Sequence, residues 1–315
     1  FSNLVFGIGA FMNERFMYIP SLGFGAIFAY FLTNTVPCRL KNAARYERTF
    51  LPLIFATVLV LYSAKTITRN AAWENDEVLA LTDAKVSVNS AKVNMSAGSA
   101  LLTLGQQTSD PIQKRKYFEQ GIGHLEHSVS IYPSYVQSLH LLGTTHLELQ
   151  DYDRALYYYD IVMRVNPDFG DTKRNLEVMG NLCIQRKEFQ AAINAYNKLL
   201  QYHPGMVRIW AALGEVYGKH LQDYPKSLEY LRKAEQLDPN DSDVLQKIGV
   251  VYAMTGQSQP ALDVFLRALE VSPNNPSIMM NVGVVYRNLG QEELGLQYLN
   301  EAFRLKPELR QSFQQ

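Results

Sequence analysis

Six prolines recur through most of this chain at a nearly constant interval. They are Pro133, Pro167, Pro204, Pro239, Pro273 and Pro307. Successive prolines lie 34, 37, 35, 34 and 34 residues apart. Each has a small or aliphatic residue five positions earlier, a large apolar residue eight earlier and usually a small residue twelve earlier, as in Leu199, Tyr196 and Ala192 before Pro204. A period of this length is typical of one small structural unit that stacks in a row.

A second signal lies farther upstream in each unit. An apolar residue and a glycine stand side by side, with an aromatic ring three positions later, as in Leu213-Gly214 with Tyr217. The spacing is that of the tetratricopeptide repeat, in which a helix A and a helix B form a pair. Glycine at the eighth position lets the two helices approach closely, and proline ends helix B. We therefore predict an all-α chain in which residues 89–315 form an α-solenoid of about six repeats, with units ending near 133, 167, 204, 239, 273 and 307.

The first unit departs from the pattern. Gly98 and Gly121 occupy its eighth and twentieth positions, but they are 23 residues apart where other units have 12. We place the 11 extra residues in the turn between helices A and B. The third unit has three extra residues around Phe169–Asp171, and the fourth unit has one.

The repeats predict a binding surface. In a stacked array the A helices line a concave groove, and positions two, five, nine and twelve of each A helix point into it. We expect this groove to bind an extended polypeptide. A clamp for a C-terminal carboxylate is disfavoured, because Asn181 has Glu177 where such a clamp needs lysine. The predicted groove residues are His140, Thr144, Arg174, Glu177, Asn181, Arg208, Glu215, Gln246, Met280 and Arg287.

Composition excludes other classes of site. The 30 basic and 30 acidic side chains cancel, so no net charge favours a nucleic acid. The cysteines, Cys38 and Cys183, predict neither a disulfide framework nor a metal site, and no cofactor motif is evident. Asp151-Tyr152-Asp153 has the form of a nucleotide-sugar motif, but its place between helices A and B favours a helix cap. Asn94 and Asn240 begin glycosylation sequons.

The N-terminal part predicts membrane helices over residues 1–68. Residues 1–13 read as the end of a span, 16–36 contain no charged side chain, and 49–66 are dominated by Leu, Ile, Val and Phe. Buried helices of a soluble domain are the alternative, but neither longer stretch shows a polar face at helical period. The loop 37–48 carries four basic residues and one acidic residue, which predicts that it is cytoplasmic.

This topology places the repeats on the other side of the bilayer. Two crossings around a cytoplasmic loop leave residues 69–88 as a connector and 89–315 in the periplasm or the lumen of the endoplasmic reticulum. The sequence begins at Phe1 within apolar sequence, so we expect an excerpt of a longer chain. The chain is therefore predicted to be an integral membrane protein in contact with lipid.

Two short stretches flank these helices. The first runs from Glu14 to Gly23 with the sequence ERFMYIPSLG, and the second is Arg69-Asn70-Ala71-Ala72-Trp73. With the repeats behind them, they resemble the transmembrane and tetratricopeptide-repeat O-mannosyltransferases (TMTC-type) and their bacterial relatives. The resemblance implies a polytopic membrane enzyme of the GT-C kind, which moves a mannose-like sugar from a polyprenyl-phosphate carrier to protein hydroxyls. It also implies that the acidic catalytic residue lies in an early loop outside these residues.

Within the two motifs, roles follow from side-chain chemistry. Arg15, with Glu14 to fix its rotamer, could hold the carrier phosphate bidentately; the alternative is a basic residue that marks the helix end. Interfacial anchoring is predicted for Tyr18, Arg69, Asn70 and Trp73. A rival hypothesis is a membrane-anchored, non-enzymatic repeat scaffold that assembles a periplasmic or lumenal complex. The two motifs favour the enzyme, because an anchor alone does not need them.

Overall fold

The computed structural model describes residues 23–39, 43–70 and 73–313, without the side chains of residues 68–70 and 311–313. Regular structure in this described part is helical throughout. The chain divides into two units, Phe1–Ser138 and Leu139–Gln315. The prediction of an all-α protein is confirmed.

One apolar helix precedes the repeats. Short helical turns at Ala43–Arg45 and Tyr46–Phe50 lead into α1, Leu51–Asn70. The continuous stretch Ala43–Ile67 is 25 residues long and apolar enough to cross a membrane, and none of its residues is buried. A helix in the core of a soluble domain would bury its apolar side chains, whereas Leu59 is 69% exposed. Exposure on all sides is what a lipid-facing helix requires.

The other membrane predictions are tested only in part. Residues 1–13 and 16–22 lie outside the described residues, and residues 23–30 are helical with Phe24 and Ile27 largely exposed. In the described part of the chain, one stretch rather than two is long and apolar enough to span a bilayer. The predicted loop 37–48 is shorter than expected, since residues 43–48 are already helical. Helical propensity continues through Ala43–Arg45 because nothing there breaks a helix.

The predicted connector, residues 69–88, contains a helix. This helix, α2, spans Asp76–Val86 and begins at Asn75, whose side chain accepts a hydrogen bond of 2.8 Å from the backbone N–H of Val78. Its Ala84 is buried against Val93 and Ala97 of the following helix. The first repeat is thereby packed onto a preceding helix.

The repeats follow as six helix pairs and a final short helix. Their bounds are α3 Ala91–Gln107, α4 Pro111–Ile131, α5 Val136–Glu148, α6 Tyr152–Val165, α7 Thr172–Gln185, α8 Phe189–Tyr202, α9 Val207–Glu215, α10 Tyr224–Leu237, α11 Ser242–Met254, α12 Ser258–Val271, α13 Pro276–Asn288, α14 Glu292–Leu305 and α15 Glu308–Phe313. Odd-numbered helices from α3 to α13 are A helices, and even-numbered helices from α4 to α14 are B helices.

Each pair is held by a glycine against a large side chain. A Cβ added to Gly180 would collide with the ring of Tyr196, and one added to Gly249 would lie 2.5 Å from Cε1 of Phe265. These distances are far below van der Waals contact, so an A helix with any side chain at this position could not approach its B helix as closely. Five of the pairs meet at a glycine eight positions into the unit. The same arrangement is found at Gly143, Gly180, Gly214, Gly249 and Gly283.

The turns between A and B helices share one backbone feature. The same position, seventeen residues before each repeat's proline, has a positive φ in five successive units. These residues are Gln150, Lys187, Gln222, Gly256 and Gly290. The left-handed conformation ends helix A and reverses the chain within a few residues. Glycine adopts it without strain, whereas the three earlier repeats hold a residue with a side chain there.

The 11 extra residues of the first unit are mostly helical, which corrects the prediction of a long turn. Helices α3 and α4 have 17 and 21 residues, and only three residues, 108–110, separate them. Eleven residues make about three helical turns, so the face that meets the partner helix keeps its phase. The extension is packed, since a Cβ on Gly105 would lie 2.6 Å from Cε1 of Phe118.

The smaller insertions are absorbed locally. The single extra residue of the fourth unit follows α9 as a π-helical turn, Val216–His220, which is the expected effect of one residue added to an α-helix. The three extra residues of the third unit lie in the loop before α7, where Gly170 has φ of +50°. That loop lies against the predicted groove.

Candidate functional site: the A-helix face of residues 139–315

We define the A face as the side chains at positions two, five and nine of α5, α7, α9, α11 and α13, together with Arg287 at position twelve of α13. None of the ten predicted groove residues is buried. Arg174, Asn181, Arg208 and Arg287 are exposed, and the other six are partly exposed. Other positions of the same helices hold buried leucines, such as Leu139, Leu176 and Leu213. Apart from the buried Ala211 at position five of α9, the A face is therefore the side of these helices that the repeats leave accessible.

His140 lies at the start of the face, beneath the loop that carries the three-residue insertion. Its Nδ1 is 2.9 Å from Oγ1 of the buried Thr172, and its ring contacts Phe169 edge-on at 5.6 Å. Burial lowers the pKa of His140, and Asp171 opposes this shift only in part. The imidazole is therefore neutral at pH 7 and serves as a hydrogen-bonding group rather than as a cation.

Two tyrosines reach this face from the B helices behind it. The hydroxyl of Tyr159 donates to Oγ1 of Thr144 at 3.2 Å, and that of Tyr196 donates to Oδ1 of Asn181 at 2.7 Å. In both units the tyrosine is at position 24 and its partner at position nine. Burial raises the pKa of Tyr159 to about 12, so its hydroxyl stays protonated and remains a donor. Asn175 also donates to Thr144, at 3.3 Å.

Charged side chains in the middle of the face are paired between neighbouring A helices. Arg208 of α9 lies 2.5 Å from Glu177 of α7. Lys247 of α11 lies 3.7 Å from Glu215 at the end of α9 and 2.5 Å from Asp243 of its own helix. Such partly exposed pairs contribute roughly 0–1 kcal/mol each to stability. Their main effect is to cancel charge on the surface.

The last two A helices present a different surface. Val250 of α11 is 36% exposed, and Met280 and Val284 of α13 are partly exposed. Gln246 lies one turn before Val250, and Arg287 turns toward Glu292 of the next helix, 2.9 Å away. This end of the face therefore carries an aliphatic patch, Val250, Met280 and Val284, among polar residues.

The predicted membrane-interface residues are described only in part. Glu14, Arg15 and Tyr18 lie outside the described residues. Arg69 and Asn70 form the end of α1, and their side chains are not among those described. Trp73 follows in a short turn and is 47% exposed. The roles predicted for these residues remain predictions.

Several sequence motifs have structural roles. Asp151 caps α6 by accepting from the backbone N–H of Arg154 at 3.3 Å, as expected for a cap. Asn94 is only 2% exposed and its side chain is engaged in hydrogen bonds, so this sequon is not available on the folded surface. Among the described residues no cluster of three potential metal ligands occurs.

Sequence reasoning missed the residues that support the face. Lys247 is not among the ten predicted groove residues, yet it links α11 to α9 through Glu215. Thr172 and Asn175 belong to α7 but contact the side chains of α5. A polar residue at position nine paired with tyrosine at position 24 was the available signal for part of this network.

Three family models support the repeat assignment. Each is described as "Tetratricopeptide repeat", and they match residues 138–173, 179–242 and 276–309. Among solved structures, "YrrB: a TPR protein with an unusual peptide-binding site" is 22% identical, with a TM-score of 0.44 over 58% of this chain and 92% of that chain. A structure of the MamA protein is 17% identical, with a TM-score of 0.44 over 56% of this chain and 94% of that chain.

Curated relatives carry one common name. Protein O-mannosyl-transferase TMTC3 of Mus musculus is 24% identical over 263 residues, which cover 80% of this chain and 27% of the relative. TMTC2 of Homo sapiens is 38% identical over 103 residues, 32% of this chain and 11% of the relative. The chain thus spans about a quarter of the length of TMTC3. By its repeats and by these relatives, the chain is a tetratricopeptide-repeat relative of the TMTC-type protein O-mannosyl-transferases.

Proposed function

We propose that these residues form the C-terminal part of a polytopic membrane glycosyltransferase, which transfers a mannose-like sugar from a polyprenyl-phosphate carrier to protein hydroxyls. The A face binds the acceptor polypeptide. The observation that carries the proposal is the extent of the match to TMTC3, 80% of the chain. Residues 89–315 number 227, or 72% of the chain, so the match must extend beyond the repeats into the membrane-proximal part.

The membrane arrangement follows the same proposal. The stretch Ala43–Ile67 crosses the bilayer, and the basic residues before it and in its first turns, including Arg39, Arg45 and Arg48, stay in the cytoplasm. The repeats then lie on the non-cytoplasmic side, where protein hydroxyls destined for export are accessible. The apolar, unburied surface of α1 supports the crossing.

The chain's own cysteines allow this topology to be tested. Cys38 is exposed next to the basic residues, whereas Cys183 is buried and its thiol pKa is raised to about 11, mainly by burial. We expect a membrane-impermeant maleimide to label Cys38 only after the cytoplasmic side is opened, and to leave Cys183 unlabelled in the native protein. Labelling of Cys38 from the outer side of sealed cells would contradict the proposed topology. A Cys38→Ser variant serves as the control.

The activity is tested with the full-length protein, reconstituted in lipid with a polyprenyl-phosphate sugar and an acceptor. We expect transfer by the intact chain, and a loss of at least roughly tenfold in turnover of polypeptide acceptors when residues 89–315 are removed, because the acceptor is no longer positioned. In the same assay, Arg15→Ala should raise the KM for the carrier by about tenfold or more, since a bidentate contact to the phosphate is lost.

Two outcomes would contradict these assignments. Unchanged carrier kinetics in a normally expressed Arg15→Ala protein would leave Arg15 as a residue that marks the helix end. Absence of sugar transfer by an intact, lipid-reconstituted protein with several polyprenyl-linked sugars would favour the non-enzymatic scaffold. The matched control for Arg15→Ala is Lys65→Ala. Lys65 is a basic residue near the C-terminal end of the apolar stretch Ala43–Ile67.

A further inference from the structure

The polarity of the A face changes along the repeats of residues 139–315. Where position 24 of a unit is tyrosine, position nine is a hydrogen-bonding residue, as in Tyr159 with Thr144 and Tyr196 with Asn181. In the last two repeats, where position 24 lacks a hydroxyl, position nine is a valine, whereas the repeat before them combines Leu231 with Glu215. The pairs of the last two repeats are Phe265 with Val250 and Leu299 with Val284. The face is therefore polar at α5 and α7, whereas at α11 and α13 it carries an aliphatic patch, Val250, Met280 and Val284, beside the polar residues Asp243, Gln246, Ser277 and Arg287.

At the polar end, Asn181 is oriented by the tyrosine behind it. The Tyr196 hydroxyl can only donate to Oδ1, because at 2.7 Å it meets the carbonyl oxygen of the amide. The Nδ2 group of the exposed Asn181 then points its two N–H donors away from the tyrosine. An extended polypeptide offers free backbone carbonyls to such donors, whereas a helix has already used most of its own.

At the α11 and α13 end, the packing of the repeats leaves aliphatic side chains accessible. Val250 is 36% exposed although most other valines and isoleucines of α11 are buried. Met280 and Val284 continue this surface on α13. Burial of such side chains contributes about 25 cal/mol per Å² of apolar area, so aliphatic residues of a partner would be held here.

Between the two ends, the charges are already matched. Glu177 is paired with Arg208, and Glu215 and Asp243 with Lys247. A partner that carried charges at this point would have to compete with these pairs and lose its own hydration. Arg174, at the polar end, forms no ion pair among the described residues, so its positive charge is not neutralised by a neighbouring carboxylate.

We propose that the A face selects an extended, uncharged polypeptide segment, bound through its backbone and hydroxyl side chains at α5 and α7 and through aliphatic side chains at α11 and α13. This inference rests on the proposed function, since it assigns a chemical class to the acceptor. Segments rich in Ser, Thr, Val and Ile meet the requirement. They also carry the hydroxyls that a protein O-glycosyltransferase needs.

The first test uses short synthetic peptides with a fluorescent label and the whole 315-residue chain in lipid nanodiscs. A peptide of Ser, Thr, Val and Ile should bind at least roughly tenfold more tightly than the same peptide with two Val residues replaced by Asp or by Lys, a difference of about 1.4 kcal/mol. Its affinity should change by less than about twofold between 0.1 M and 1 M salt, because no charge pair forms. Equal affinity for the charged peptides, or a steep salt dependence, would overturn the proposal.

The second test uses two matched variants of the protein. Val250→Asp should weaken binding of the uncharged peptide by about tenfold or more, because a carboxylate would be placed against aliphatic side chains. Val271→Asp, on the B helix α12 at a residue that is 42% exposed, should leave the affinity unchanged. Asn181→Val should weaken binding by about fivefold through the lost amide donors. Equal affinities in Val250→Asp and Val271→Asp would overturn the proposal.

The outcomes separate this inference from the proposed function. Selective peptide binding without sugar transfer by the full-length protein would support the inference and contradict the proposed enzymatic activity. Sugar transfer that does not discriminate between charged and uncharged acceptors would uphold the enzyme and overturn the inference. Protection of the A face by a second copy of the chain, seen as a concentration-dependent dimer that peptides cannot displace, would also overturn it.

Discussion

Replacing Tyr196 with alanine is expected to destabilise the compact part formed by residues 139–315 by about 3–5 kcal/mol. The ring is completely buried between α7 and α8, and it fills the space that Gly180 leaves open. Its hydroxyl also holds Asn181. Truncation would leave a cavity in the centre of the array, and neighbouring repeats would lose part of their contact because each repeat is stabilised mainly by its neighbours. Urea unfolding followed by the fluorescence of Trp210 measures the loss.

Two substitutions calibrate this result. Tyr196→Phe keeps the ring and removes only the hydrogen bond, so it should cost about 0.5–1.5 kcal/mol. Tyr157→Ala, on the exposed side of α6 where the residue is 60% exposed, should cost less than about 0.5 kcal/mol. If Tyr196→Ala costs no more than Tyr157→Ala, then the packing of glycine against tyrosine is not what holds this pair of helices together.

The glycine opposite Tyr196 gives the same prediction a second form. Gly180→Ala should by itself cost about 1–3 kcal/mol, because the new methyl group meets a ring that has no free space to move into. In the background of Tyr196→Ala the methyl group enters the cavity, so the two costs should not add. The size of this coupling reports how tightly α7 and α8 are packed.

The repeat could be predicted from the sequence because its spacing is set by packing. Glycine at position eight and a large side chain at position 24 meet in the structure as the period implies, for example at Gly143 and Tyr159. The first unit could not be predicted in this way. A count of extra residues does not distinguish a loop from added helical turns, and in the structure Gly105 packs against Phe118 within these turns.

The candidate site was predictable at the level of helix faces and no further. Position numbers place His140 and Asn181 on the accessible side of their helices, and the structure leaves both accessible. The hydrogen bonds and ion pairs that orient the side chains of this face join residues far apart in the sequence. Thr172 is 32 residues from His140 along the chain, and Lys247 reaches Glu215 of the preceding unit. Such pairs depend on how neighbouring units are rotated, which no single repeat encodes.

In the first repeat, Asn94→Ala is expected to lower the free energy of unfolding by about 2–4 kcal/mol. Asn94 is a buried polar residue whose Nδ2 donates to the backbone carbonyls of Val88 at 2.7 Å and Ser90 at 3.0 Å. Both amide hydrogens are thus used, and Oδ1 accepts from Nδ1 of His124 at 2.9 Å. Alanine would remove these three hydrogen bonds, which contribute about 0.5–1.5 kcal/mol each. The carbonyl of Val88 would keep a hydrogen bond from Nε2 of His127, and that of Ser90 would keep one from the backbone N–H of residue 94. The turn between α2 and α3 would be held by fewer contacts.

Hydrogen exchange locates this loss. Amides of α2 and of the turn at residues 87–90 should exchange about 30-fold faster or more in Asn94→Ala, since 1.4 kcal/mol corresponds to a factor of ten. Asn240→Ala is the matched control, because Asn240 begins the other sequon and is exposed after α10. It should leave exchange throughout the chain unchanged. Uniformly faster exchange in all helices of Asn94→Ala would show that Asn94 stabilises the whole unit, whereas unchanged exchange at residues 87–90 would show that the hydrogen bonds from its side chain contribute nothing to this turn.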